Sequence, residues 1–448
     1  MPKRHLPNIP QTIQVIIEKL DTSGLGISTW HNKQIVVHGA FPGEEVIVRV
    51  DGQGQFRIHG TAIAIVRPSP HRVSPRCAIV EQCGGCTLQR LDPKVQREIK
   101  YRTILETLDF LDNPTDIVRP FAFISDSYQY RNKALWMTAA AKQPDHSLDM
   151  GLFRPWSHDL VPLSTCPVQD QPTEIVLRHL PPLLQSYKVA ATWLRAIMVR
   201  SNGKESLVTF VTYPGPQPSY VEPLADSLFA IPTVVGVAQN QTNPQSNAII
   251  GPELHVLRGV DRLLFEIGPT RFFAGPTSFV QTYLEGAAHL IEQVRAFLPG
   301  PFTTLVDLYA GVGMFALAMT ERAAHILAVE ASPDGTKWAR HNFLNDTSAC
   351  KLDAIHNDVL SFTAGTQPTN AVDAVILDPP RAGCGAEVAA AIGNRLRPSV
   401  VVYVSCNPNS FARDARVFLA SGYRVTDVVP VDMFPHTPHV ELVAKLTL

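Results

Sequence analysis

The last third of the chain alternates short apolar runs with stretches of helical pattern, and each run ends in a polar or charged residue. Short apolar runs that alternate with helical segments are typical of βαβ units. Such units assemble into a doubly wound parallel sheet with helices on both faces. The runs and their polar ends occupy residues 304–307, 326–330, 354–358, 372–378 and 400–405. We therefore predict an α/β domain of Rossmann-like topology here.

Two short motifs follow the last two runs of this predicted sheet. Asp378-Pro379-Pro380-Arg381 begins where one apolar run ends, and Ser405-Cys406-Asn407-Pro408 begins where the next one ends. In open α/β sheets, ligands bind in the crevice at the carboxyl ends of the strands. The sequence thus predicts one site that contains the carboxylate of Asp378 and the thiol of Cys406.

A glycine-rich turn after the first run indicates a cofactor that contains adenosine. Gly311-x-Gly313-x-x-Ala316 fits the dinucleotide-binding fingerprint, and Glu330 ends the next run, where an acidic group binds ribose hydroxyls. S-adenosylmethionine also contains an adenosine ribose. This pattern alone therefore leaves a nicotinamide dinucleotide and S-adenosylmethionine both open.

The two strand-end motifs favour methyl transfer. A hydride-transfer enzyme gives no reason for a cysteine or for Asp-Pro-Pro-Arg at these positions. Carbon 5 of a pyrimidine, in contrast, becomes nucleophilic only after a thiolate adds to carbon 6, and it can then attack a sulfonium methyl group. A thiol has a reference pKa of about 8.5, so we expect a positive or hydrogen-bonding neighbour to lower the pKa of Cys406.

Three of the seven cysteines lie close together in the sequence, at Cys77, Cys83 and Cys86. An odd number of cysteines argues against a disulfide framework and for metal or catalytic use. With the distant Cys166, the chain supplies four thiolates, enough to hold a tetrahedral zinc ion or an iron–sulfur cluster. The residues alone leave these two metal centres open.

The rest of the chain is rich in predicted strands. Residues 1–67 hold β-branched runs separated by glycine turns, which is typical of a small barrel of the oligonucleotide-binding type. We assign residues 68–95 to the cysteine segment, 96–280 to a strand-rich central domain that includes Cys166, and 281–448 to the α/β domain. The proline-rich basic stretch at residues 67–76 is interpreted as a stiff linker with solvated arginines.

Charge and hydropathy restrict the class of protein. The formal net charge is −1, so nucleic-acid binding would use local patches rather than a bulk positive field. No apolar run approaches the roughly 18 residues of a membrane span. The basic start at residues 1–5 lacks the apolar stretch of a signal peptide. We expect a cytoplasmic monomer without a membrane partner.

Together these motifs resemble the RNA uracil-5-methyltransferase family, and the resemblance covers essentially the whole chain. Residues 1–67, with Gly39-Ala40-Phe41-Pro42-Gly43-Glu44, are similar to its TRAM domain. The other matching motifs occur in the family's order and are the cysteine set with Cys166, Phe279-Val280-Gln281, the segment from Asp307 to Gly313, the two strand-end motifs, and His439-Val440-Glu441.

The resemblance implies a role for each matching residue. Cys406 matches the family's nucleophile, Glu441 its proton-abstracting base, and Asp378 the strand-end carboxylate near the cofactor and the target base. Glu330 would bind the ribose hydroxyls, and Asp358 would lie near the adenine. The other cofactor-binding positions are Gln281 and Tyr309. The cysteines Cys77, Cys83, Cys86 and Cys166 would hold a 4Fe-4S cluster outside the methyl-transfer site.

The resemblance also implies S-adenosyl-L-methionine as methyl donor and RNA as partner. Through the amino-terminal barrel and the cysteine cluster, it favours 23S rRNA as the substrate. The alternative is tRNA, because some enzymes of the family that act on tRNA carry both features too. Residues 130–133 and 151–154 match family segments that face RNA, although ordinary surface arginines and lysine would explain them equally well.

Three residues depart from the family's pattern. Ala310 replaces a common cysteine, Met314 stands where polar residues can touch the cofactor, and Tyr283 stands where asparagine is frequent. None of them removes a catalytic group. Two other classes stay open from the sequence: a catalytically silent RNA-binding protein, and an amino-directed methyltransferase, which would need no nucleophilic cysteine.

Overall fold

The computed structural model describes residues 10–54, 56–122, 127–141, 148–243, 245, 248–365 and 371–448, so the basic start of the chain lies outside the described residues. The chain divides into two compact units. The first holds Met1–Lys100, Phe153–Asp159 and Pro435–His439, and the second holds Tyr101–Leu152, Leu160–Phe434 and Val440–Leu448. The four-part division inferred from the sequence stays a prediction. In the described ranges, no helix has the length and apolar character to span a membrane.

The first unit contains one six-stranded sheet with the order β1-β5-β6-β4-β3-β2. Its strands are β1 (Thr12–Ile16), β2 (Lys19–Leu20), β3 (Gly26–Trp30), β4 (Lys33–His38), β5 (Glu45–Gln53) and β6 (Arg57–Arg67). Residues alternate between buried and exposed along β1, as the pleat of a half-buried strand requires. Ile13 of β1, Ile35 of β4 and Val46 of β5 belong to one apolar core, so the sheet curls around it. This confirms the predicted N-terminal β-barrel unit.

A buried ion pair fastens the segment after this sheet. The carboxylate of Glu44, whose side chain is fully buried, accepts two hydrogen bonds of 2.6 Å from Arg72. It also accepts from the backbone N–H groups of Phe41 and Ser69. Burial alone would raise the pKa of Glu44, but these hydrogen bonds outweigh burial and lower the pKa. Arg72 is therefore a structural residue, so its interpretation as a solvated arginine was wrong, whereas Arg67 and Arg76 are exposed as expected.

The second unit begins with short helices and a seven-stranded central sheet of order β13-β12-β11-β10-β7-β8-β9. Helix α1 (Pro93–Thr107), which starts in the first unit, and helix α2 (Pro114–Ile117) precede it. Its strands are β7 (Lys133–Ala140), β8 (Leu148–Phe153), β9 (Leu160–Pro162), β10 (Leu194–Ser201), β11 (Ser206–Thr212), β12 (Val234–Gln241) and β13 (Leu254–Gly259). Helices α3 (Gln171–Ser186) and α4 (Val221–Phe229) cover it. The apolar runs of the sequence at residues 190–199, 206–212 and 233–237 overlap β10, β11 and β12, so this domain is strand-rich as predicted.

A hairpin leads into the α/β part of this unit. Its strands are β14 (Leu263–Ile267) and β15 (Thr270–Ala274), and helix α5 (Leu284–Phe297) follows. The alternating elements are β16 (Phe302–Leu308), α6 (Met314–Ala318), β17 (Ala323–Glu330), α7 (Pro333–Leu344), β18 (Lys351–His356), α8 (Val359–Gly365), β19 (Ala374–Leu377), α9 (Ala386–Ala391), a π-helical turn (Ile392–Leu396), β20 (Val400–Ser405), α10 (Pro408–Ala420), β21 (Arg424–Val431) and β22 (Glu441–Thr447).

The sheet built by these strands has the order β18-β17-β16-β19-β20-β22-β21. The first five strands in this order pair in parallel, and the chain reverses its direction of winding between β16 and β19. This confirms the predicted doubly wound α/β domain. The sheet differs from the dinucleotide-binding order 3-2-1-4-5-6 because β22 lies between β20 and β21 and is antiparallel to both.

Candidate active site

The switch point of the sheet brings several predicted site residues to one edge. Asp307 lies near the end of β16 and Asp378 directly follows β19, which pairs with β16 in parallel. The backbone N–H of Asp378 donates to the carbonyl of Leu308 at 3.4 Å, so the two strand ends stay together. Ligands of doubly wound sheets bind at this position. The crevice predicted from the strand-end motifs is therefore present.

Cys406 follows β20 at the same edge and is half-buried. The next residue, Asn407, is the N-cap of α10: its side-chain oxygen accepts from the backbone N–H of Asn409 at 3.2 Å. Pro408 stands at the first helical position, where a missing N–H costs nothing. The Ser-Cys-Asn-Pro motif is thus a strand-to-helix turn that presents the thiol at the strand end.

Glu441 reaches the same edge because β22 is antiparallel. Ser405, the last residue of β20, pairs with Leu442, and Glu441 is the first residue of β22. The start of an antiparallel strand lies at the carboxyl end of its parallel neighbours. Glu441 is 2% exposed, so its carboxyl group is held inside the protein rather than solvated on a late strand.

The charges of Cys406, Glu441 and Asp378 act on one another. Burial raises the pKa of Asp378 to about 7. Burial, and then the charge of Asp378, raise the pKa of Glu441 well above its ordinary value. The pKa of Cys406 is raised to about 11. Burial is the largest cause, followed by the charges of Glu441 and Asp378, and the positive charge of Arg381 lowers the pKa by less. The structure therefore groups the three residues, and Arg381 is the predicted positive neighbour, although the net shift of the thiol is upward.

The glycine loop holds the carboxylate of Glu330 in place. The backbone N–H of Gly311 donates to Glu330 Oε2 at 2.8 Å, and that of Ser332 donates to Oε1 at 2.6 Å. Gly313 has a φ of +87°, and a Cβ there would lie 2.6 Å from the ring of Phe343. Glycine is required at that position on both grounds. The glycine loop and the end of β17 therefore meet at the carboxylate of Glu330.

Beneath this loop lies Asp307, which is fully buried. Its Oδ2 accepts from the backbone N–H of Ala316 at 2.9 Å, and its Oδ1 has no hydrogen-bond partner in the described residues. Burial raises the pKa of Asp307 well above its ordinary value. Tyr309 has a φ of 62°, a region that non-glycine residues rarely adopt, and burial raises its pKa. The start of the glycine loop is thus fixed by a buried carboxyl group and a strained backbone.

Two further predicted cofactor-binding residues differ in their exposure: Gln281 is buried and Asp358 is exposed. Gln281 is buried, and its backbone carbonyl accepts from the side-chain amide of Asn132 at 3.2 Å. Asp358 is exposed after β18 and caps α8, since its Oδ1 accepts from the backbone N–H of Ser361 at 3.0 Å. Its charge reaches Tyr309, whose pKa it helps to raise after burial and Cys384. Asp358 therefore caps α8 and lies near enough to the glycine loop for its charge to act on Tyr309.

Residues 130–133 belong to the interior rather than to an ordinary surface. Asn132 is fully buried, and its backbone N–H donates to the carbonyl of Thr282 at 3.0 Å. Tyr283, one of the departures from the family's pattern, packs on Tyr130 with ring centroids 4.9 Å apart. Burial, together with Arg200 and Arg131, lowers the pKa of Lys133 to about 7. This stretch positions the Phe-Val-Gln segment that contains Gln281.

Asp414 was not identified from the sequence, yet it organises the loop after the Asp-Pro-Pro-Arg motif. Its side chain is fully buried, and its Oδ2 accepts from the hydroxyl of Tyr403 and from the backbone N–H of Cys384, both at 2.8 Å. Gly383 has no room for a Cβ, which would lie 2.4 Å from this oxygen. The available signal was helical periodicity, because Asp414 occupies the apolar stripe of α10 with Phe411 and Phe418.

The cysteine segment gives no support for a metal centre. Cys77, Cys83, Cys86 and Cys166 are all half-buried. The backbone N–H of Gly85 donates to Cys83 Sγ at 3.4 Å, while burial raises the pKa of the Cys83 thiol. In the part of the chain that the structure describes, no three His, Cys, Asp or Glu side chains form a group that could hold a metal ion.

Comparison with known proteins identifies the family. Residues 271–447 match the sequence profile described as tRNA (Uracil-5-)-methyltransferase. An uncharacterized RNA methyltransferase of Gloeobacter violaceus is 32% identical over 97% of this chain and 96% of its own. Another, from Halalkalibacterium halodurans, is 30% identical over the full length of both chains.

One solved structure covers nearly the whole fold. It is the tRNA (uracil-54, C5)-methyltransferase of Pyrococcus abyssi in complex with S-adenosyl-L-homocysteine, with a TM-score of 0.75 and 26% identity. The similarity covers 97% of this chain and 100% of that one. The sequence motifs, the strand order and the relatives agree. The chain belongs to the RNA uracil-5-methyltransferase family.

Proposed function

We propose that this protein transfers a methyl group from S-adenosyl-L-methionine to carbon 5 of a uridine in RNA. The observation that supports this most is the grouping of Cys406, Glu441 and Asp378 at the carboxyl edge of the sheet, beside the glycine loop. An amino-directed methyltransferase would have no use for this thiol. A silent RNA-binding protein would have no reason to bury a carboxyl group next to it, because burying one is unfavourable.

In the proposed reaction, the thiolate of Cys406 adds to carbon 6 of the uracil, and the electron pair moves to an enolate. Carbon 5 then takes the methyl group that S-adenosyl-L-methionine supplies, and S-adenosyl-L-homocysteine leaves. Glu441 removes the proton from carbon 5, and the electron pair of that bond expels the thiolate and restores the double bond. A base is more effective when its pKa is close to the working pH, and burial shifts Glu441 in that direction.

We further propose how the chain binds the methyl donor. Glu330 would bind the ribose hydroxyls, because backbone N–H groups of the glycine loop and of Ser332 fix both of its oxygens. A cavity of about 700 Å³ opens beside it and is lined by Gly311, Glu330 and Trp338 among other residues. Asp378 would lie near the cofactor and the target uracil. The other proposed contacts are those of Gln281, Tyr309 and Asp358.

Trapping with 5-fluorouridine RNA tests the proposed chemistry. Fluorine at carbon 5 prevents proton removal, so wild-type protein should form a stable covalent adduct and Cys406→Ala should form none. Cys350→Ala is the matched control, because it removes a half-buried thiol that lies outside the proposed site. On ordinary RNA, Glu441→Gln should accumulate adduct, because addition proceeds and release does not. Absence of adduct in the wild type, or its persistence in Cys406→Ala, would overturn the proposal.

The target RNA is proposed in two forms. The sequence motifs favour 23S rRNA. The similarity over the full chain to a solved tRNA (uracil-54, C5)-methyltransferase favours tRNA as the second candidate. Mapping of 5-methyluridine in both RNA pools, with and without the gene, decides between them: the position that loses its methyl group identifies the substrate.

On the cysteine set in the sequence and the resemblance to the family, and not on the geometry of the fold, we also propose that Cys77, Cys83, Cys86 and Cys166 hold a 4Fe-4S cluster. Such a cluster would supply a structural centre outside the methyl-transfer site. Protein purified without oxygen should then contain about four iron and four sulfide per chain and absorb visible light. Cys83→Ser should lose the iron, whereas Cys350→Ser should keep it. Stoichiometric zinc in place of iron would contradict the cluster and favour a tetrahedral zinc site.

A further inference from the structure

The first unit contains a cavity that the methyl-transfer chemistry does not use. Its volume is about 850 Å³, within the range of roughly 300–1,000 Å³ that small-molecule sites occupy. Strands of the six-stranded sheet form one side, with His38 of β4 and His59 of β6. The loop Phe153–Asp159, which belongs to the same unit, forms another side with Trp156.

Trp156 presents a fixed aromatic surface to this cavity. The residue is 47% exposed and has a φ of 55°, a backbone conformation that bulky residues rarely adopt. His38 and His59 contact it edge-on, with ring centroids 5.9 and 5.8 Å from it and interplanar angles of 78° and 67°. Two imidazoles therefore hold the indole plane while almost half of the residue faces solvent. A rigid half-exposed aromatic ring of this kind is a stacking surface for a base.

One polar ring at the cavity belongs to His38, which lines it. His59 also lines the cavity, but its Nδ1 is buried away from solvent and contributes no contact to a ligand there. His38 is 4% exposed, and burial, with the charge of Arg90, lowers its pKa to about 4. It is therefore a neutral ring, with one donor and one acceptor nitrogen.

Three guanidinium groups line the same cavity, and each has a partner. Arg49 pairs with Asp51 at 2.8 Å, Arg90 pairs with Glu81 at 3.1 Å, and Arg154 donates to Gln82 at 3.0 Å. A guanidinium has five N–H donors, more than one carboxylate or amide accepts, so each can also bind a phosphate oxygen. Acidic residues balance these charges in the cavity. An aromatic ring, three arginines and several acidic residues line the cavity. This lining suits an aromatic base that carries one phosphate better than it suits a polyanion without a base.

We propose that this cavity binds one nucleotide of the RNA substrate, away from the uridine that is methylated, with its base stacked on Trp156 and its phosphate held by the arginines. This inference rests on the proposed function, because that function makes RNA the ligand. It adds a second anchoring point to the substrate. A single-stranded RNA segment fits such a point, because its unpaired bases are free to stack on aromatic side chains.

Binding of a short, fluorescein-labelled single-stranded RNA of mixed sequence to the full chain tests the proposal. Trp156→Ala should weaken binding about 5- to 150-fold, the effect of losing one base-stacking contact. Trp156→Phe should restore most of it, because Phe keeps an aromatic face. Phe229→Ala, which truncates an exposed aromatic residue on α4, is the matched control and should bind like the wild type.

A salt titration identifies the phosphate contact. Arg154→Ala should reduce the slope of log Kd against log salt concentration by about 0.7, the value for one phosphate contact in a single strand. Arg178→Ala, an exposed arginine on α3, should leave the slope unchanged. Trp156→Ala should leave it unchanged as well, since stacking involves no counterion.

The two proposals fail separately. If 5-fluorouridine RNA traps Cys406 but Trp156→Ala binds RNA as tightly as wild type, the nucleotide site is wrong and a protein ligand becomes the better occupant. If Trp156→Ala weakens RNA binding but no adduct forms, the methyl-transfer chemistry is wrong and the nucleotide site stands. A Trp156→Phe variant as weak as Trp156→Ala would also overturn stacking.

Discussion

The side-chain amide of Asn407 donates a hydrogen bond of 3.1 Å to the backbone carbonyl of Arg381. The loop after β20 is thereby tied to the loop after β19. The oxygen of the same side chain caps α10. One residue therefore fixes the relative position of the two turns that present Cys406 and Asp378, the proposed nucleophile and its neighbouring carboxylate.

Replacing Asn407 separates these two contacts. Asn407→Ser keeps a cap oxygen but loses the donor to Arg381, whereas Asn407→Ala loses both. We expect Asn407→Ser to unfold at nearly the wild-type temperature, and Asn407→Ala to lose about 1 kcal/mol of stability. Both should form the 5-fluorouridine adduct about tenfold more slowly, because displaced reacting groups lose rate steeply. Calorimetry and single-turnover trapping measure the two effects. A Ser variant with the wild-type rate would show that the tie has no role in positioning.

Alkylation of Cys406 should report the charges around it. Burial, then Glu441 and Asp378, raise the pKa of Cys406 to about 11, and Arg381 lowers it. Iodoacetamide reacts with the thiolate, so the rate should increase about tenfold per pH unit below that pKa. Glu441→Gln removes a negative charge and should speed the reaction at pH values where Glu441 is ionised. Arg381→Ala removes the positive charge and should slow it.

Cys350 is the internal reference for this measurement. Burial, with Asp346, raises its pKa to about 11 as well, without a contribution from Glu441 or Arg381. Peptide mass spectrometry follows both cysteines in one sample. Equal changes at Cys350 and Cys406 would indicate a general loosening of the fold, and unchanged rates at Cys406 would remove the two residues from its electrostatic environment.

Some of this site could be predicted from the sequence, because polar residues that directly follow apolar runs mark the strand ends of a βαβ sheet. Asp378 and Cys406 follow apolar runs directly, so their shared edge follows from parallel pairing alone. Glu441 does not, because the pairing of β22 with β20 joins segments far apart in the sequence. Its role came only from the resemblance to a family. Local patterns do not encode which strand is inserted beside which.

Buried polar groups were the part that sequence patterns missed. Arg72 was interpreted as solvated, but it forms an ion pair with the buried Glu44. Asp414 lies on the apolar stripe of α10, and the sequence does not show why a carboxylate stands there: it accepts hydrogen bonds from a hydroxyl and from backbone N–H groups. A buried polar residue of this kind is required because the donors around it need an acceptor. Those donors come together only when the chain has folded, so a local sequence pattern does not show them.

The stability of the protein should depend on pH through Asp378. Its pKa is about 7 in the folded state against 3.8 for the free side chain. The folded state therefore binds the proton more tightly than the unfolded state, and stability falls as the pH rises from about 4 to about 7. Asp378→Asn removes this loss. We expect the melting temperature of Asp378→Asn minus that of the wild type to be higher at pH 8 than at pH 4.5, by on the order of 5 °C.

Thermal unfolding in a series of buffers measures this difference. Glu441→Gln should behave with the same sign, since burial also raises the pKa of Glu441. A difference that stays constant with pH would mean that Asp378 has an ordinary pKa in the folded protein. A difference that falls with pH would mean that a cation, rather than burial, dominates its surroundings.

The two glycines of the cofactor loop offer a matched pair. Gly311 and Gly313 both have positive φ, at 56° and 87°, so alanine at either position is strained by about 1 kcal/mol. A Cβ at Gly311 meets nothing within 4 Å, whereas a Cβ at Gly313 would lie 2.6 Å from the Phe343 ring. We therefore expect Gly313→Ala to lower the melting temperature clearly more than Gly311→Ala, because only Gly313→Ala must also displace a packed side chain.

Titration calorimetry with S-adenosyl-L-homocysteine should show the same order, with Gly311→Ala keeping measurable affinity, since its backbone N–H still reaches Glu330. Equal losses for the two variants would show that backbone strain, and not the contact with Phe343, fixes this loop.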